Sequence, residues 1–179
     1  MYKRQGLHIM SQQLSREEQE RKYPEYTWDL TTIFEDDDAW EVAFKEVEDQ
    51  LGVEEQFKGH LGDDADTLYQ ALSTEDEIGT KLEKVYVYAH LKQDQDTSND
   101  KYTGFESRAH QLIIKFSSAW SFLVPEILQI DEATIKSFVE QNDDLKRYEF
   151  DLKLINENRP HVLSAVSYTH LTLPTSDLV

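Results

Sequence analysis

The 179-residue chain contains no cysteine, so a disulfide framework, a thiolate nucleophile and a thiolate metal site are all excluded. Glycine and proline are scarce, at 6 and 4 residues, and neither GxGxxG nor Gly-x-Ser-x-Gly occurs. That removes the phosphate-cradling loop and the strained nucleophile turn from consideration. No apolar run approaches the length of a membrane span, and nothing near the start resembles a signal peptide, so the expectation is a cytoplasmic protein with no membrane partner. Positive charge is short as well: 18 basic residues face 36 acidic ones, for a formal net charge of -18. Such a surface repels a phosphate backbone, and no nucleic-acid partner is expected.

What the chain does have argues for a folded protein. It is 39% hydrophobic and 11% aromatic, with 3 Trp, 9 Tyr and 8 Phe, whereas a disordered acidic segment would hold few aromatics. The length suits one helical domain with a proper core, or part of a larger one. The acidic excess reads first as a solvated surface, and its field would draw basic peptides.

The two ends differ in character from what lies between. Met1-Tyr2-Lys3-Arg4-Gln5 can be written GTG TAT AAG AGA CAG, and Val166-Ser167-Tyr168-Thr169-His170, entered from the Ala165 codon, can be written with the reverse complement of that string. The shared element resembles the transposon end used in sequencing adapters, and Leu171-Thr172-Leu173-Pro174-Thr175 continues the likeness. The expected organisation is therefore an adapter-derived tag at 1–5, a helical domain at 6–165 that is truncated, and an adapter-derived tail at 166–179. Met10 is a plausible natural start.

Between these ends the apolar residues recur at helical spacing. Residues 11–22 are a polar lead-in, and the aromatic stretch Tyr23 to Leu30 reads as an extended segment, anchored through Trp28, Leu30, Ile33 and Phe34. Asp36-Asp37-Asp38 supplies N-cap candidates for a helix over 37–51 with Trp40, Phe44, Val47 and Leu51 on one face and Gly52 as its stop. Phe57 to Leu61 reads as a loop. Asp63 to Asp66 caps a short helix with Leu68 and Leu72, and Ser73 or Thr74, with Glu77 completing a capping box, begins another with Ile78, Leu82, Val85, Tyr88 and Ala89. Ser98 or Asn99 caps a long helix reaching about Val124, where Pro125 allows a break. Asp131 caps a helix with Ile135, Phe138 and Val139, and Asn142-Asp143-Asp144 divides it from a last helix carrying Leu145, Tyr148, Leu152 and Ile155. Short polar links between long stripes predict an all-α fold of antiparallel helical hairpins.

Chemistry-bearing constellations are few. The histidines are His8, His60, His90, His110, His161 and His170. A helical zinc-protease motif needs two His four apart with Glu after the first, and no such pair occurs. His90 and His110 fall on neighbouring helices but lack a third ligand, so they read as structural. Asp94 to Asn99 places oxygen side chains at the first, third and fifth positions of a calcium loop, but Asn99 stands where Gly is required. Phe105 stands where the bidentate Glu belongs, with Glu106 one residue late, about 100° around the helix. A capped turn accounts for it better. The residues themselves thus supply no catalytic, cofactor-binding or metal site.

Five segments, taken in order, resemble the amino-terminal region of oligoendopeptidase F, in the M3 family of zinc metallopeptidases. They are Tyr26-Thr27-Trp28-Asp29-Leu30 with Ile33, Phe34 and Trp40; Phe57-Lys58-Gly59-His60-Leu61; Val85 to Lys92 continuing into Asp94-Gln95-Asp96-Thr97; Phe122 to Leu128; and Arg159-Pro160-His161-Val162-Leu163-Ser164. The resemblance implies the amino-terminal lobe of a larger helical metallopeptidase, facing a catalytic lobe across a channel that admits oligopeptide substrates. It implies Zn2+ in the full-length parent, held by a His-Glu-x-x-His that this chain lacks, so no family site residue is carried over and the chain alone is expected to be inactive. The expected partners are oligopeptides and the missing catalytic lobe. The alternative is a stand-alone acidic helical module that binds proteins, with a calcium-binding helical module behind it.

Overall fold

The fold was analysed in a computed structural model, which describes residues 29–158. Among them every regular element is helical. The extended reading of Tyr23 to Leu30, including Trp28, falls almost wholly outside the described residues, as do the terminal segments 1–5 and 166–179. At its described end the stretch forms a 3-10 turn, Leu30–Thr32, because the Asp29 carboxylate accepts the Thr31 N–H at 3.0 Å and its hydroxyl at 2.5 Å. Leu30 is buried there, and Ile33 and Phe34 pack partly against the core as anticipated.

Helix α1, Asp37–Gln50, starts where the Asp36 side chain accepts the Ala39 N–H at 2.8 Å. Asp37 and Asp38 put negative charge in the first turn, where the helix dipole favours it. Trp40, Phe44 and Val47 form its buried face. Gly52, at φ 109°, takes the left-handed conformation that lets the chain leave α1 and enter a 3-10 turn at Val53–Gln56.

Helix α2 runs without interruption from Ala65 to Gln95, 31 residues and about 46 Å at the usual rise. This corrects the expectation of a short helix followed by a second beginning at Ser73 or Thr74. Asp64 is the cap, accepting the Thr67 N–H at 2.7 Å, whereas the Ser73 hydroxyl donates back to the Gln70 carbonyl. Leu68, Ala71, Leu72, Glu75 and Ile78 keep one buried stripe in phase across the supposed boundary, and neither glycine nor proline lies between Leu68 and Ile78. A capping-box pattern needs a backbone that leaves the helix, and here the apolar stripe holds the backbone helical.

Asn99 caps α3, Asp100–Ala119, accepting the Lys101 N–H at 3.0 Å. The helix stops short of the expected Val124. The chain turns at Trp120 and restarts as α4, Leu123–Gln129. Pro125 explains the shift. Inside a continuous helix its ring would strike the Ser121 carbonyl, whereas in the first turn of α4 its missing N–H is not needed. Helix α5, Glu132–Gln141, follows, although Asp131 holds its N-cap position without a side-chain cap bond. A 3-10 turn at Asp143–Tyr148, capped by Asn142 through the Asp144 N–H, leads into α6, Glu149–Glu157. Leu145, Tyr148, Leu152 and Ile155 are all buried, as the stripe predicted.

The antiparallel α2–α3 pair makes the largest interface, α1 packs on α2, and at the far end α5 and the Asp143–Tyr148 turn pack on α2 while α4 and α6 pack on each other. Trp40 is the joint of the first group. Fully buried on α1, it donates its indole N–H to the Val85 carbonyl of α2 at 2.8 Å and stacks on Phe105 of α3 at 3.9 Å and 8°. The Arg108 guanidinium lies over the same ring, 5.1 Å from its centre. Among the described residues no helix is long and apolar enough to cross a membrane. Truncating Trp40→Ala removes the stack, the hydrogen bond and the buried area together, and should lower the unfolding free energy by about 3–5 kcal/mol in a denaturant titration.

Candidate functional site

A concave polar surface lies where the start of α1 meets the carboxyl-terminal part of α2 and the start of α3. It is an open depression of about 400 Å3, floored by Leu30, Phe34, Tyr88 and Tyr102 and rimmed by Glu35, Asp36, Asp38, Lys92 and Lys101. Asp37 sits at its centre. Its Oδ1 accepts the Tyr88 hydroxyl at 2.8 Å, and its Oδ2 accepts the Lys101 ammonium at 2.7 Å and the Tyr102 hydroxyl at 3.1 Å. One carboxylate thereby ties α1 to both helices of the hairpin. Lys92 lies 5.5 Å from the centres of the Tyr88 and Tyr102 rings.

The electrostatics follow from these contacts. Burial pushes the Asp37 carboxyl up, but the hydrogen bonds from Lys101, Tyr88 and Tyr102 and the attraction of Lys101 together outweigh it and hold the group below its ordinary value. Tyr88 is driven far above the ordinary phenol range, by burial first and then by its bond to Asp37; Tyr102 moves the same way for the same reasons. Both phenols are therefore neutral donors, and with the Lys101 ammonium they give the ionised Asp37 three hydrogen bonds. This is the chemistry of a structural tie. Beside it, Glu41 and Arg108 form a two-pronged pair at 2.6 and 2.7 Å across α1 and α3; the bond from Arg108 lowers the carboxyl, and the bond to Glu41 raises the guanidinium.

The groups singled out in the sequence stand apart from one another. His60 is exposed and bonds Asp63 through Nδ1 at 2.8 Å. His90 faces Glu106 at 2.8 Å and Asp94 at 3.5 Å, whereas His110 is exposed. His8, His161 and His170 lie outside the described residues. In the calcium-like stretch, Asp96 accepts the Ser98 hydroxyl at 2.8 Å and Asn99 caps α3, so these oxygens serve the helix turn. Among the described residues no group of three or more His, Asp or Glu side chains is arranged to hold a metal ion. The described donors do not fit a zinc site. The sequence reading took Asp37 only as a capping candidate and missed its central role, because its partners Tyr88, Lys101 and Tyr102 lie 51 to 65 residues away.

Comparison with known proteins gives a consistent picture. A family profile described as Oligopeptidase F matches residues 126–166. Oligopeptidase PepF of Bacillus subtilis is 41% identical over 140 residues, which are 78% of this chain and 21% of that protein. Group B oligopeptidase PepB of Streptococcus agalactiae is 42% identical over 139 residues, covering 78% of this chain and 23% of the relative. The crystal structure of oligoendopeptidase-F from Enterococcus faecium superposes with a TM-score of 0.67 at 35% identity, over 75% of this chain and 26% of that one. The chain thus spans about a fifth of the length of the relatives it matches.

Replacing Asp37→Asn should cost about 1–3 kcal/mol of stability near neutral pH, since three donors lose an ionised acceptor. Because folding depresses this carboxyl, its contribution is present above the unfolded-state value, near 4, and disappears as pH falls through the folded one. Unfolding titrations at stepwise lower pH should therefore show the variant and the parent converging in acid.

Proposed function

The chain belongs to the oligoendopeptidase F family, matched in its amino-terminal helical region, and on that premise we propose that it forms the substrate-channel lobe of an M3-type zinc endopeptidase acting on short peptides. The observation that carries this reading is the 41% identity over 140 residues in a chain without a His-Glu-x-x-His sequence. Identity at that level is spread over a helical scaffold, and the donor set for a catalytic zinc has no counterpart in it. Under this proposal residues 6–165 are the native part, 1–5 and 166–179 are adapter-derived, and zinc, the general base and the catalytic lobe belong to further polypeptide. The chain's own contribution is shape and charge. Rigid helical hairpins wall a channel too narrow for folded proteins, and the net charge of -18 favours basic, flexible peptides. Polar, cytoplasmic peptides are the substrate class this implies, with neither nucleic acid nor membrane as partner.

The test compares the 179-residue chain with a polypeptide extended by the downstream gene. Bound zinc and cleavage of an internally quenched peptide should both be absent in the first and present in the second. Chelator-sensitive hydrolysis by the highly purified 179-residue chain would overturn the proposal.

A further inference from the structure

We infer that the outward face of α6, built from Phe150 and Leu154, is the docking surface for the polypeptide that follows this region in the full-length parent, a surface that rests on reading the chain as one lobe of a larger peptidase. Phe150 is the most exposed large apolar side chain among the described residues, at 74%. Leu154, one turn further, is partly buried yet stands outside the core cluster. On the opposite face of the same helix Leu152 and Ile155 are fully committed to the core, 2% and 1% exposed. Phe150 and Leu154 each lie two residues from Leu152, about 200° round the helix in opposite senses and so about 40° from each other. Polar residues divide the two apolar faces: Lys153 pairs with Glu157 at 4.0 Å on one flank, and Asp151 and Asn158 stand on the other. A helix packed from one side needs one apolar stripe; a second stripe bounded by charge is the pattern of a helix packed from both.

The other exposed large apolar residues differ from this pair. Val42 on α1 and Ile114 on α3 have no apolar neighbour larger than alanine three or four positions away, and single apolar side chains are ordinary on a protein surface. Phe150 has Leu154 four positions on, where side chains of a helix meet, and it brings an aromatic ring with a large area to bury.

Length and charge select the occupant. The chain spans about a fifth of the relatives it matches, and the family profile runs over residues 126–166, so α6 lies inside the matched region and the likeness continues past its end. Polypeptide that continues from this helix reaches the outer face of α6 with a short loop to close, at small entropic cost. A second copy has no such advantage. It must offset the freedom lost on association, and two chains each carrying a net charge of -18 repel. The partner surface is therefore apolar where it meets Phe150 and Leu154, with polar groups at its edge beside Lys153, Glu157 and Asp151.

The experiment is hydroxyl-radical footprinting, read by mass spectrometry, of the 179-residue chain and of the polypeptide extended by the downstream gene. Phe150 should react readily in the first at every concentration and lose that reactivity in the second, falling to the level of buried Leu152. Phe150→Ser should leave the melting temperature of the 179-residue chain within about 1 °C and lower that of the extended polypeptide by about 4 °C or more. Equal reactivity of Phe150 in the two polypeptides would overturn the assignment. Protection in the 179-residue chain that fades on dilution would give the face to a second copy, and protection that survives dilution would give it to the chain's own residues beyond 158; either result sinks the proposal. Zinc content and peptide cleavage, measured on the same extended sample, keep the two readings apart. An active, zinc-bound polypeptide with a reactive Phe150 defeats the docking surface alone, whereas a protected Phe150 without zinc or cleavage defeats the catalytic reading alone. The footprints of the unaltered polypeptides decide the matter even if the variant fails to fold.

Discussion

The attachment of α1 to the α2–α3 hairpin depends on how Trp40 is held. Its indole is fixed in three ways at once: by a hydrogen bond to a helix carbonyl, by a stack on Phe105, and by the guanidinium of Arg108 over its face. A helix carrying only three buried apolar residues would slide or rotate if area were the only force on it, because area burial has no direction. The indole N–H has direction. It sets the register of α1 against α2, and that register is what brings Asp37, one turn earlier, within reach of Tyr88, Tyr102 and Lys101.

Much of this fold was readable from residue spacing. The faces of α1, α3 and the Leu145-to-Ile155 stretch repeat at three and four residues, and their anticipated core residues are largely the buried ones. Two boundaries were misread for opposite reasons. At Ser73 a local capping pattern was trusted over a stripe that continued through it. At Val124 the stripe was trusted over Pro125, whose ring acts on the residue four positions earlier. In each case a local signal and a periodic one disagreed, and what decided was whether the backbone could stay helical without losing a required donor.

The site was less legible than the core. Asp37 looks like any first-turn acid, and nothing in its neighbourhood in sequence announces two tyrosines and a lysine contributed by other helices. Trp40 bonding to a backbone carbonyl is invisible for a stronger reason: a carbonyl is present at every position, so no residue type marks it. The Glu41–Arg108 pair, 67 residues apart, belongs to the same class. By contrast, the family resemblance was carried by ordered short segments and needed no knowledge of packing. That is why identity of family could be reached from residues whose three-dimensional partners could not.

The unbroken α2 and its short link to α3 bear on how the chain acquires its shape. Most of the packing between these two helices joins residues separated by one hairpin, so the chain surrenders little entropy in bringing them together. During synthesis such a unit is complete as soon as Ala119 clears the ribosomal tunnel, while the residues that follow are still inside it. Helix α1, made earlier, must wait for Val85 and Phe105 to arrive. The order of assembly is thus the reverse of the order of translation at this end of the chain: the second and third helices form the template, and the first docks onto it.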